Sequence, residues 1–419
     1  MSDTPAGVTE SDHFVVRLQD KVIPPLGGGG TLIGPRTLVV SREFVTDYLD
    51  TAEAVFNNKT IAFNLRRPGG AGGDIVSNAD NWGITKGGFD LKKFWDAGVK
   101  GAGVRVGVAD SGMDASLKAF QQLVLEGRLK SFASFNANGS KEMQRDASGV
   151  VISDQKAKPT FSHYHGTFCT SIIAGENDGK LRGVAPGVDL HIARVLQTGN
   201  VGTVASIDTG LRWLCDQKVD FVNLSLGWPG LHEEWAESVD ALLATGAVVV
   251  AAIGNEWGVP GEYPSRSPGN YPPASSKPGL IRVGAFDRNG NIWDYSGGGT
   301  VDWSNVTIPS PNGAEQPSRF AQTSTFVVPD LIAPGAEIIQ PIPGGDYLSD
   351  SGTSMAAPHI TGLLALILSA LRRKDTTARP LKAAQILLDC LAVNQKLPLD
   401  RAGKGKPDIA RLITALNLD

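Results

Sequence analysis

The sequence predicts an α/β protein built around a doubly wound, mainly parallel sheet with helices on both faces. Two stretches, Gly103 to Asp110 and Ala247 to Ile253, are largely apolar and β-branched, as strands covered on both faces of a parallel sheet are. A third strand is expected from Val219 to Gly227. Helical patterns at 165–175 and 204–215 separate these strands, and this alternation is typical of βαβ units.

The first 82 residues are predicted to form a small α+β segment of their own. A helix is expected from Arg42 to Phe56, after the capping residue Ser41. Strands are expected at 13–18, 36–40 and 60–65. The Gly-rich stretches at 27–30 and 68–73 predict a turn and a linker.

Residues 83–419 are predicted to form the main domain. A further strand is expected from Asp189 to Leu196, and two closing surface helices at 381–391 and 409–416. Two polar regions, 117–160 and 297–326, are predicted to be surface insertions.

Composition restricts the class of protein. The chain has 419 residues, of which 41% are hydrophobic and 20% charged, with a formal net charge of −4. This is the composition of a globular protein, and it gives no reason to expect nucleic acid or a membrane as partner. The longest apolar run falls short of the roughly 18 residues that suggest a membrane span. Residues 1–14 lack a secretory signal, which predicts a cytoplasmic protein.

The stretch from Ser351 to Gly362 enters a long apolar run that predicts a buried helix. Ser354 is expected at or just inside the helix N-terminus, where free backbone N–H groups can stabilise an anion beside its hydroxyl. Pro358 lacks an N–H and is expected to leave the Ser354 carbonyl oxygen without its helical donor. Such violations of local propensity are commonest at functional sites. An ordinary capped core helix is the alternative interpretation.

Three further motifs accompany this one: Asp110-Ser111-Gly112, His165-Gly166-Thr167 and the run from Ala251 to Glu256. Together with Gly352 to Pro358 they resemble the acid, base, oxyanion and nucleophile segments of subtilisin-like serine proteases. Asp, His and Ser also occur in the order found in subtilisin. The resemblance covers about residues 81–419 and implies a subtilisin-like fold.

The resemblance implies a catalytic role for each motif. Ser354 would be the nucleophile, His165 the general base, and Asp110 the group that orients and stabilises the imidazole. Asn255 would donate its side-chain amide to the developing oxyanion, together with the Ser354 backbone N–H. This chemistry requires no cofactor.

The resemblance also implies a peptide-binding surface. Ser225, Leu226 and Gly227 match the family's substrate-binding strand, and Gly254 adjoins the oxyanion residue. The backbone of such a strand would pair with an extended peptide, and pockets would recognise alternate side chains. The segment 199–203 resembles the opposite wall.

Substrate specificity stays open. Glu256 would favour a basic side chain at the cleavage position, but related sequences with this residue accept large apolar ones. We therefore expect a broad hydrophobic or mixed preference. Trp228, which directly follows the binding strand, is expected to shape the subsites.

The three cysteines are widely spaced, with no CxxC pair that would suggest zinc or redox chemistry. Cys169 lies four residues after His165 and would face the same side of a helix, as half of a metal site would. The preferred interpretation is a small buried apolar residue, so no metal site is predicted. Phe168 and Cys169 replace residues common in the family, which affects packing more than chemistry.

Two features have two interpretations each. Residues 176–180 lie where relatives often carry a calcium loop, but a solvated turn explains their oxygen-bearing side chains equally well. The segment 1–82 resembles the family's propeptide, which assists folding and plugs the cleft until it is cut. A permanent accessory module is the competing interpretation, since only one helix is expected where the family's propeptides usually have two.

Three functions remain to be separated. The leading hypothesis is a serine endopeptidase that acts on extended peptides. A transpeptidase or macrocyclase would use the same acyl-enzyme, with the insertions shielding the intermediate from water. A non-catalytic peptide-binding relative would not need all four catalytic positions. The sequence does not predict an oligomeric state.

Overall fold

The structure is a computed structural model of the chain. It describes residues 8–9, 12–20, 30–62, 74–76, 81–177, 181–272, 279–392 and 396–418. Several sequence predictions lie partly or wholly outside these residues. They are the turn at 27–30, the end of the strand at 60–65, the linker at 68–73 and the calcium loop at 176–180.

The described strands lie in three parts of the chain. Those of the first part are β1 (Val8–Thr9), β2 (His13–Leu18), β3 (Gly30–Gly34), β4 (Thr37–Ser41), β5 (Ala52–Asn57), β6 (Thr60–Ala62) and β7 (Asp74–Val76). Those of the middle part are β8 (Arg105–Asp110), β9 (Leu129–Ser134), β10 (Glu176–Asn177), β11 (Leu181–Arg182), β12 (Asp189–Arg194), β13 (Val201–Thr203), β14 (Phe221–Leu224), β15 (Trp228–Pro229), β16 (Val248–Ala252), β17 (Arg266–Ser267) and β18 (Leu280–Phe286). Those of the last part are β19 (Gly299–Val301), β20 (Thr307–Pro309), β21 (Glu315–Pro317), β22 (Phe326–Val328), β23 (Leu331–Pro334), β24 (Ile338–Pro341), β25 (Tyr347–Asp350), β26 (Leu391–Ala392) and β27 (Lys406–Pro407).

The described α-helices all lie after residue 90. They are α1 (Lys92–Asp96), α2 (Lys118–Leu125), α3 (Tyr164–Ala174), α4 (Val204–Asp216), α5 (Ala236–Ala244), α6 (Thr353–Lys374), α7 (Pro380–Asp389), α8 (Leu399–Ala402) and α9 (Ile409–Leu416). Two short 3-10 helices lie at Val45–Tyr48 and Trp82–Ile84. The predicted helices at 165–175, 204–215, 381–391 and 409–416 are confirmed, with small shifts at their ends.

Seven parallel strands form the main sheet, in the order β23-β18-β16-β14-β8-β12-β9. The chain passes from β8 to the edge strand β9, returns to β12 beside β8, and then continues through β14, β16, β18 and β23 on the other side. Strands are thus added on both sides of β8, so the sheet is doubly wound as the sequence predicts. Parallel strands all end at the same edge, and ligands of such sheets bind beyond the carboxyl ends. The elements that follow β8, β14 and β16 therefore meet at one edge.

Both faces of this sheet are covered, which explains why its strands are apolar throughout. Val106, Val108 and Val250 point into one core, which also contains the buried residues of α3 and α6. Ala109, Val222 and Val249 point into a second core, which is shared with α4 and α5. Alternate residues of the same strands thus serve opposite cores.

The N-terminal segment forms an antiparallel sheet of four strands, in the order β3-β4-β2-β5. One face has a small core of its own, which includes Val16, Leu38 and Val40. Val15 and Val39, on the other face, belong to the second core of the main domain. The small sheet therefore packs directly on the larger domain.

The helix predicted from Arg42 to Phe56 is wrong. A 3-10 turn at Val45–Tyr48 is followed by β5, which pairs antiparallel with β2. Along β5, residues 52, 54 and 56 are buried, and the residues between them are not. Pairing with β2 satisfies the backbone and buries this alternating face, and this tertiary gain overrides the helical propensity of the stretch. The described part of the N-terminal segment is thus a β structure and not the α+β unit expected.

The region 117–160 is only partly a surface insertion. Helix α2 buries Phe120 and Leu123, and β9 pairs in parallel with β12 as an edge strand of the main sheet. The polar part after β9 matches the prediction of a surface segment. The region 297–326 contains two short antiparallel pairings, but Trp303 within it is 1% exposed and packs on Tyr271.

Helix α6 is the one described helix that is long and apolar enough to cross a membrane, with a mean hydropathy of 1.6 over 18 residues. Of that window, 94% is buried inside the protein. It lies against β14, β16 and β18, so it is the central core helix.

Candidate active site

Asp110 and His165 come together at the carboxyl edge of the sheet. Asp110 is the last residue of β8, and His165 lies in the first turn of α3. The helix begins after His163, whose side chain accepts a hydrogen bond from the His165 backbone N–H at 3.3 Å. Both Asp110 and His165 are fully buried.

Both oxygens of the Asp110 carboxylate contact the imidazole of His165. His165 Nδ1 lies 2.9 Å from Oδ1 and 3.0 Å from Oδ2. Nδ1 must carry the proton to donate to a carboxylate, so Nε2 keeps its lone pair. Burial is the largest single influence and opposes the charged imidazole, but the charge and hydrogen bond of Asp110, together with the contact to Cys169, outweigh it and hold the pKa of His165 well above its usual 6.5.

Ser354 is the second residue of α6, as the sequence predicts. Pro358 lies inside the helix and cannot donate to the Ser354 carbonyl oxygen. That oxygen accepts instead from the Ser225 hydroxyl at 2.8 Å and from the Cys169 thiol at 3.4 Å. Side chains from two other elements therefore replace the missing helical bond and fix the nucleophile turn in place.

The Ser354 hydroxyl donates to the backbone carbonyl oxygen of Ser225 at 2.8 Å. Because this bond uses the Ser354 hydroxyl proton, a role as nucleophile requires the side chain to rotate away from the Ser225 carbonyl oxygen to another staggered position. Catalytic hydrogen bonds are often loose in enzymes without substrate, so this geometry is compatible with a nucleophile at rest.

Asn255 follows β16 and is 1% exposed. Its side-chain oxygen accepts from the Thr353 backbone N–H and from the Thr353 hydroxyl, both at 2.9 Å. Because these bonds occupy the oxygen, the side-chain nitrogen is the end of the amide that offers donors to a substrate. Thr353 was not predicted as a site residue, although its position beside Ser354 in the motif is the signal that would have indicated it.

The predicted peptide-binding residues lie beside Ser354. Strand β14 ends at Leu224, three residues earlier than expected, because its pairing with β16 ends there. Ser225, Leu226 and Gly227 then continue past the sheet edge and are buried or nearly so. Gly254, with φ +118°, donates its backbone N–H to the Thr353 hydroxyl at 3.1 Å.

Cys169 contacts His165. Its sulfur lies 3.8 Å from Nδ1 and 3.9 Å from Nε2 of His165, and burial raises the pKa of the thiol. Asp110, His165 and Cys169 each offer one potential metal-ligand atom, and these three atoms lie within 4.8 Å of one another. A cation there would displace the proton that joins Asp110 to His165, so the cluster can serve catalysis or hold a metal ion, but not both.

A buried ion pair adjoins the same site and was missed by the sequence analysis. Arg266, on β17, bonds the carboxylate of Glu256 through Nε, at 2.9 and 3.0 Å, and through Nη2. The two side chains are 5% and 6% exposed. The sequence contains no local signal for this contact, because the two residues belong to separate elements.

The fold and the candidate site together indicate a class of protein, which comparison with known protein families identifies. A model described as the subtilase family matches residues 101–405, so the chain belongs to the subtilase family. It is therefore a serine endopeptidase, a hydrolase that acts on peptides or proteins.

Relatives within the family are similar over most of their own length. The major intracellular serine protease of Bacillus subtilis (strain 168) is 32% identical over 312 residues, which are 74% of this chain and 81% of the relative. Subtilisin DY of Bacillus licheniformis is 32% identical over 273 residues, 65% of this chain and 79% of the relative. The intracellular serine protease of Paenibacillus polymyxa is 33% identical over 272 residues, 64% of this chain and 67% of the relative.

Proposed function

We propose that Asp110, His165 and Ser354 hydrolyse peptide bonds as a catalytic triad. The observation that carries this proposal is the bond from both Asp110 oxygens to Nδ1 of His165, at 2.9 and 3.0 Å. A serine hydroxyl is a weak nucleophile at neutral pH unless a neighbouring base takes its proton. The free Nε2 is the base that this tautomer provides.

In the first half of the reaction, Ser354 Oγ attacks the substrate carbonyl carbon while its proton passes to Nε2 of His165. Asp110 stabilises the imidazolium that results. The imidazolium then gives its proton to the leaving amine as the C–N bond breaks. Water then attacks the ester carbonyl carbon while its proton passes to the same imidazole. As the C–O bond to Ser354 breaks, the imidazolium returns that proton to Ser354 Oγ, and the peptide leaves as a carboxylic acid.

The negative oxygen of each tetrahedral intermediate would lie between the side-chain nitrogen of Asn255 and the backbone N–H of Ser354. Both donors are fixed beforehand, since Thr353 holds the Asn255 oxygen and helix α6 holds the Ser354 backbone. Fixed donors stabilise developing charge without the reorganisation that water would need. Every proton transfer in this scheme has a protein donor or acceptor, so we propose that no cofactor takes part.

The substrate would bind as an extended peptide along Ser225, Leu226 and Gly227, beside Gly254. Backbone pairing of this kind gives affinity that depends little on sequence. The segment 199–203, which contains β13, would form the opposite wall of the cleft.

The N-terminal segment would occupy part of this cleft. Strand β6 pairs antiparallel with β13, as a bound peptide would. The side-chain amide of Asn58 donates to the Ala137 carbonyl oxygen and accepts from the Ala205 N–H, each at 3.0 Å. Lys59 lies over the ring of Trp228, 5.3 Å from its centroid. We propose that residues 1–82 restrict substrate access, either as a propeptide that is removed or as a permanent module.

The intact mass of wild-type and Ser354→Ala protein, before and after treatment with a fluorophosphonate probe, tests these proposals. One adduct on the wild type alone supports an activated Ser354. If the wild type alone has a mass lower by that of the N-terminal segment, the segment is a self-cleaved propeptide. An unlabelled wild type that stays unlabelled after removal of residues 1–82 contradicts the triad. Product masses separate hydrolysis from peptide ligation.

We also propose that the protein acts inside the cell. Two of the relatives described above carry the words intracellular serine protease in their names, whereas another is named a subtilisin. Fractionation of the native host, with the chain detected by antibody beside a cytoplasmic marker, tests this. A chelator tests whether calcium binds at 176–180. If it does, chelation should lower the melting temperature of the purified protein without lowering the turnover of the enzyme that stays folded.

A further inference from the structure

The ion pair between Arg266 and Glu256 fills space that a substrate side chain would otherwise enter. The stem of Arg266 runs across two glycines of the site. A Cβ on Gly227 would lie 2.9 Å from Arg266 Cβ, and a Cβ on Gly254 would lie 2.9 Å from Arg266 Cγ. Both approaches are closer than real Cβ contacts allow, so the arginine occupies the floor between these two segments.

The position of this floor relative to Ser354 identifies which substrate residue would meet it. Ser354 Oγ lies 2.8 Å from the Ser225 carbonyl oxygen. In the proposed reaction the attacked carbonyl carbon would meet Ser354 Oγ, and its oxygen would face Asn255. Ser225 leads into Gly227, and Asn255 follows Gly254. The side chain of the residue that supplies the attacked carbonyl, called P1, therefore points between Gly227 and Gly254, towards Arg266.

Arg266 cannot leave this position easily. Its guanidinium bonds both oxygens of Glu256, and Nη1 lies 3.4 Å from the Gly227 carbonyl oxygen. Glu256 also accepts from the Asn255 backbone N–H at 2.8 Å, which ties the pair to the oxyanion residue. Displacing the arginine would leave a buried carboxylate without its counter-charge, which is strongly unfavourable.

We propose that Arg266 and Glu256 together close the P1 pocket, so that the protease cleaves after residues with little side chain: glycine, alanine and serine. This inference rests on the proposed peptidase function. An acidic P1 side chain would have to compete with Glu256 for a guanidinium that is already bonded on two sides. A large apolar one would have to displace the pair. This proposal differs from the broad hydrophobic or mixed preference expected from the sequence.

The test uses quenched peptides that differ only at P1, with kcat/KM normalised to the fraction of enzyme labelled by a fluorophosphonate. For the wild type we expect alanine to exceed phenylalanine and leucine by about 10²-fold, within the range that pocket size alone gives. Comparable rates after alanine and phenylalanine would overturn the inference while leaving the peptidase function intact. Absence of both labelling and hydrolysis that persists after removal of residues 1–82 would instead overturn the proposed function.

Two variants separate size from charge. Glu256→Gln with Arg266→Gly opens a neutral pocket, and the phenylalanine and leucine peptides should gain about 10²-fold. Arg266→Gly alone leaves the Glu256 carboxylate facing the opened space, and the lysine peptide should gain most. Failure of both folded variants to change the ranking would contradict the inference.

Arg282→Gly is the matched control. Arg282 is also buried and bonds Asp330 through Nε and Nη2, at 2.8 and 2.7 Å. Its loss should lower stability without changing the P1 ranking.

Inhibition of the wild type by peptide aldehydes gives a further test, which does not depend on the folding of any variant. A peptide ending in alaninal should bind at least tenfold more tightly than one ending in phenylalaninal, and the reverse order would overturn the inference.

Discussion

Ser225 and Ser354 exchange hydrogen bonds: each hydroxyl donates to the other residue's backbone carbonyl oxygen at 2.8 Å. The exchange joins the end of β14 to the first turn of α6. It arises because Pro358 removes the helical donor of the Ser354 carbonyl, which leaves that oxygen open to an outside partner. Ser354 and the segment that follows β14 are therefore held in a fixed relative position.

Replacing Ser225 by alanine tests the value of this relation. Asn223, which donates to the Ser225 hydroxyl at 2.9 Å, would lose its acceptor, and Ser354 would lose one donor. We expect the free energy of unfolding to fall by about 1–3 kcal/mol, as when buried polar groups lose a partner. We also expect kcat to fall about tenfold because Ser354 is no longer fixed, within the range that small misplacement costs.

Ser238→Ala is the control for Ser225→Ala. Ser238 is fully buried, and its hydroxyl donates to the Trp235 carbonyl oxygen at 3.0 Å in helix α5. Urea unfolding should show a similar loss of stability, and peptide hydrolysis should show an unchanged kcat. If the two variants have equal kcat values, the Ser225 contact has no part in positioning the nucleophile.

Replacing Asn255 by alanine should reduce kcat by about 10²–10³, the range measured for loss of this donor in subtilisin, itself a member of the family. KM should change little, because the oxyanion forms only along the reaction path. Asn270→Ala removes a buried asparagine that bonds the Gly230 carbonyl oxygen at 2.8 Å, and it should cost stability alone. A large rise in KM with unchanged kcat for Asn255→Ala would contradict the oxyanion role.

The pH dependence of hydrolysis should report His165. Only the neutral imidazole accepts the Ser354 proton, so kcat/KM should rise with pH as His165 loses its proton. Burial opposes the charged imidazole, but Asp110 and Cys169 together hold the pKa of His165 well above 6.5, so the midpoint of this acid limb should lie above pH 6.5. Circular dichroism over the same range checks that the protein stays folded. A midpoint below 6.5 in folded protein would contradict the strong coupling to Asp110.

Arg17 anchors the N-terminal sheet to the main domain. Its side chain is 3% exposed and lies 3.3 Å from Glu233 Oε1, which is itself 1% exposed. Arg17→Ala would leave Glu233 buried without its counter-charge, and we expect about 3–5 kcal/mol lower stability. If residues 1–82 restrict the cleft, hydrolysis of small peptides should also become faster.

Arg42→Ala is the control for Arg17→Ala. Arg42 lies 4.0 Å from Asp12, and both side chains are mostly exposed. Such a surface change should stay within about 0.5 kcal/mol, with no effect on the rate of hydrolysis. Equal melting temperatures for the two variants would show that Arg17 does not anchor the sheet.

Local signals sufficed where an element is set by its own residues. The helix at 409–416 was predicted to the residue, and α3 begins and ends within one residue of its motif. Local signals failed where a partner distant in the chain determines whether a segment becomes a helix or a strand. Residues 52–57 form a strand because β2 lies beside them. Small or apolar residues alternate with more exposed ones along this stretch, and that alternation was a weak local signal for a strand. Strand β9 was hidden in a polar region for the same reason.

The sequence by itself determined the family of this protein and the candidate site residues, because Asp110, His165, Asn255 and Ser354 each lie in a motif whose neighbours are contiguous in the chain. It also determined the alternating order of strands and helices. Only the tertiary structure decided which groups support and limit that chemistry. Ser225 reaches Ser354 across 129 residues, and Arg266 reaches Glu256 from a different strand. The physical reason is that burial and hydrogen bonding depend on neighbours in space, and no local pattern encodes them.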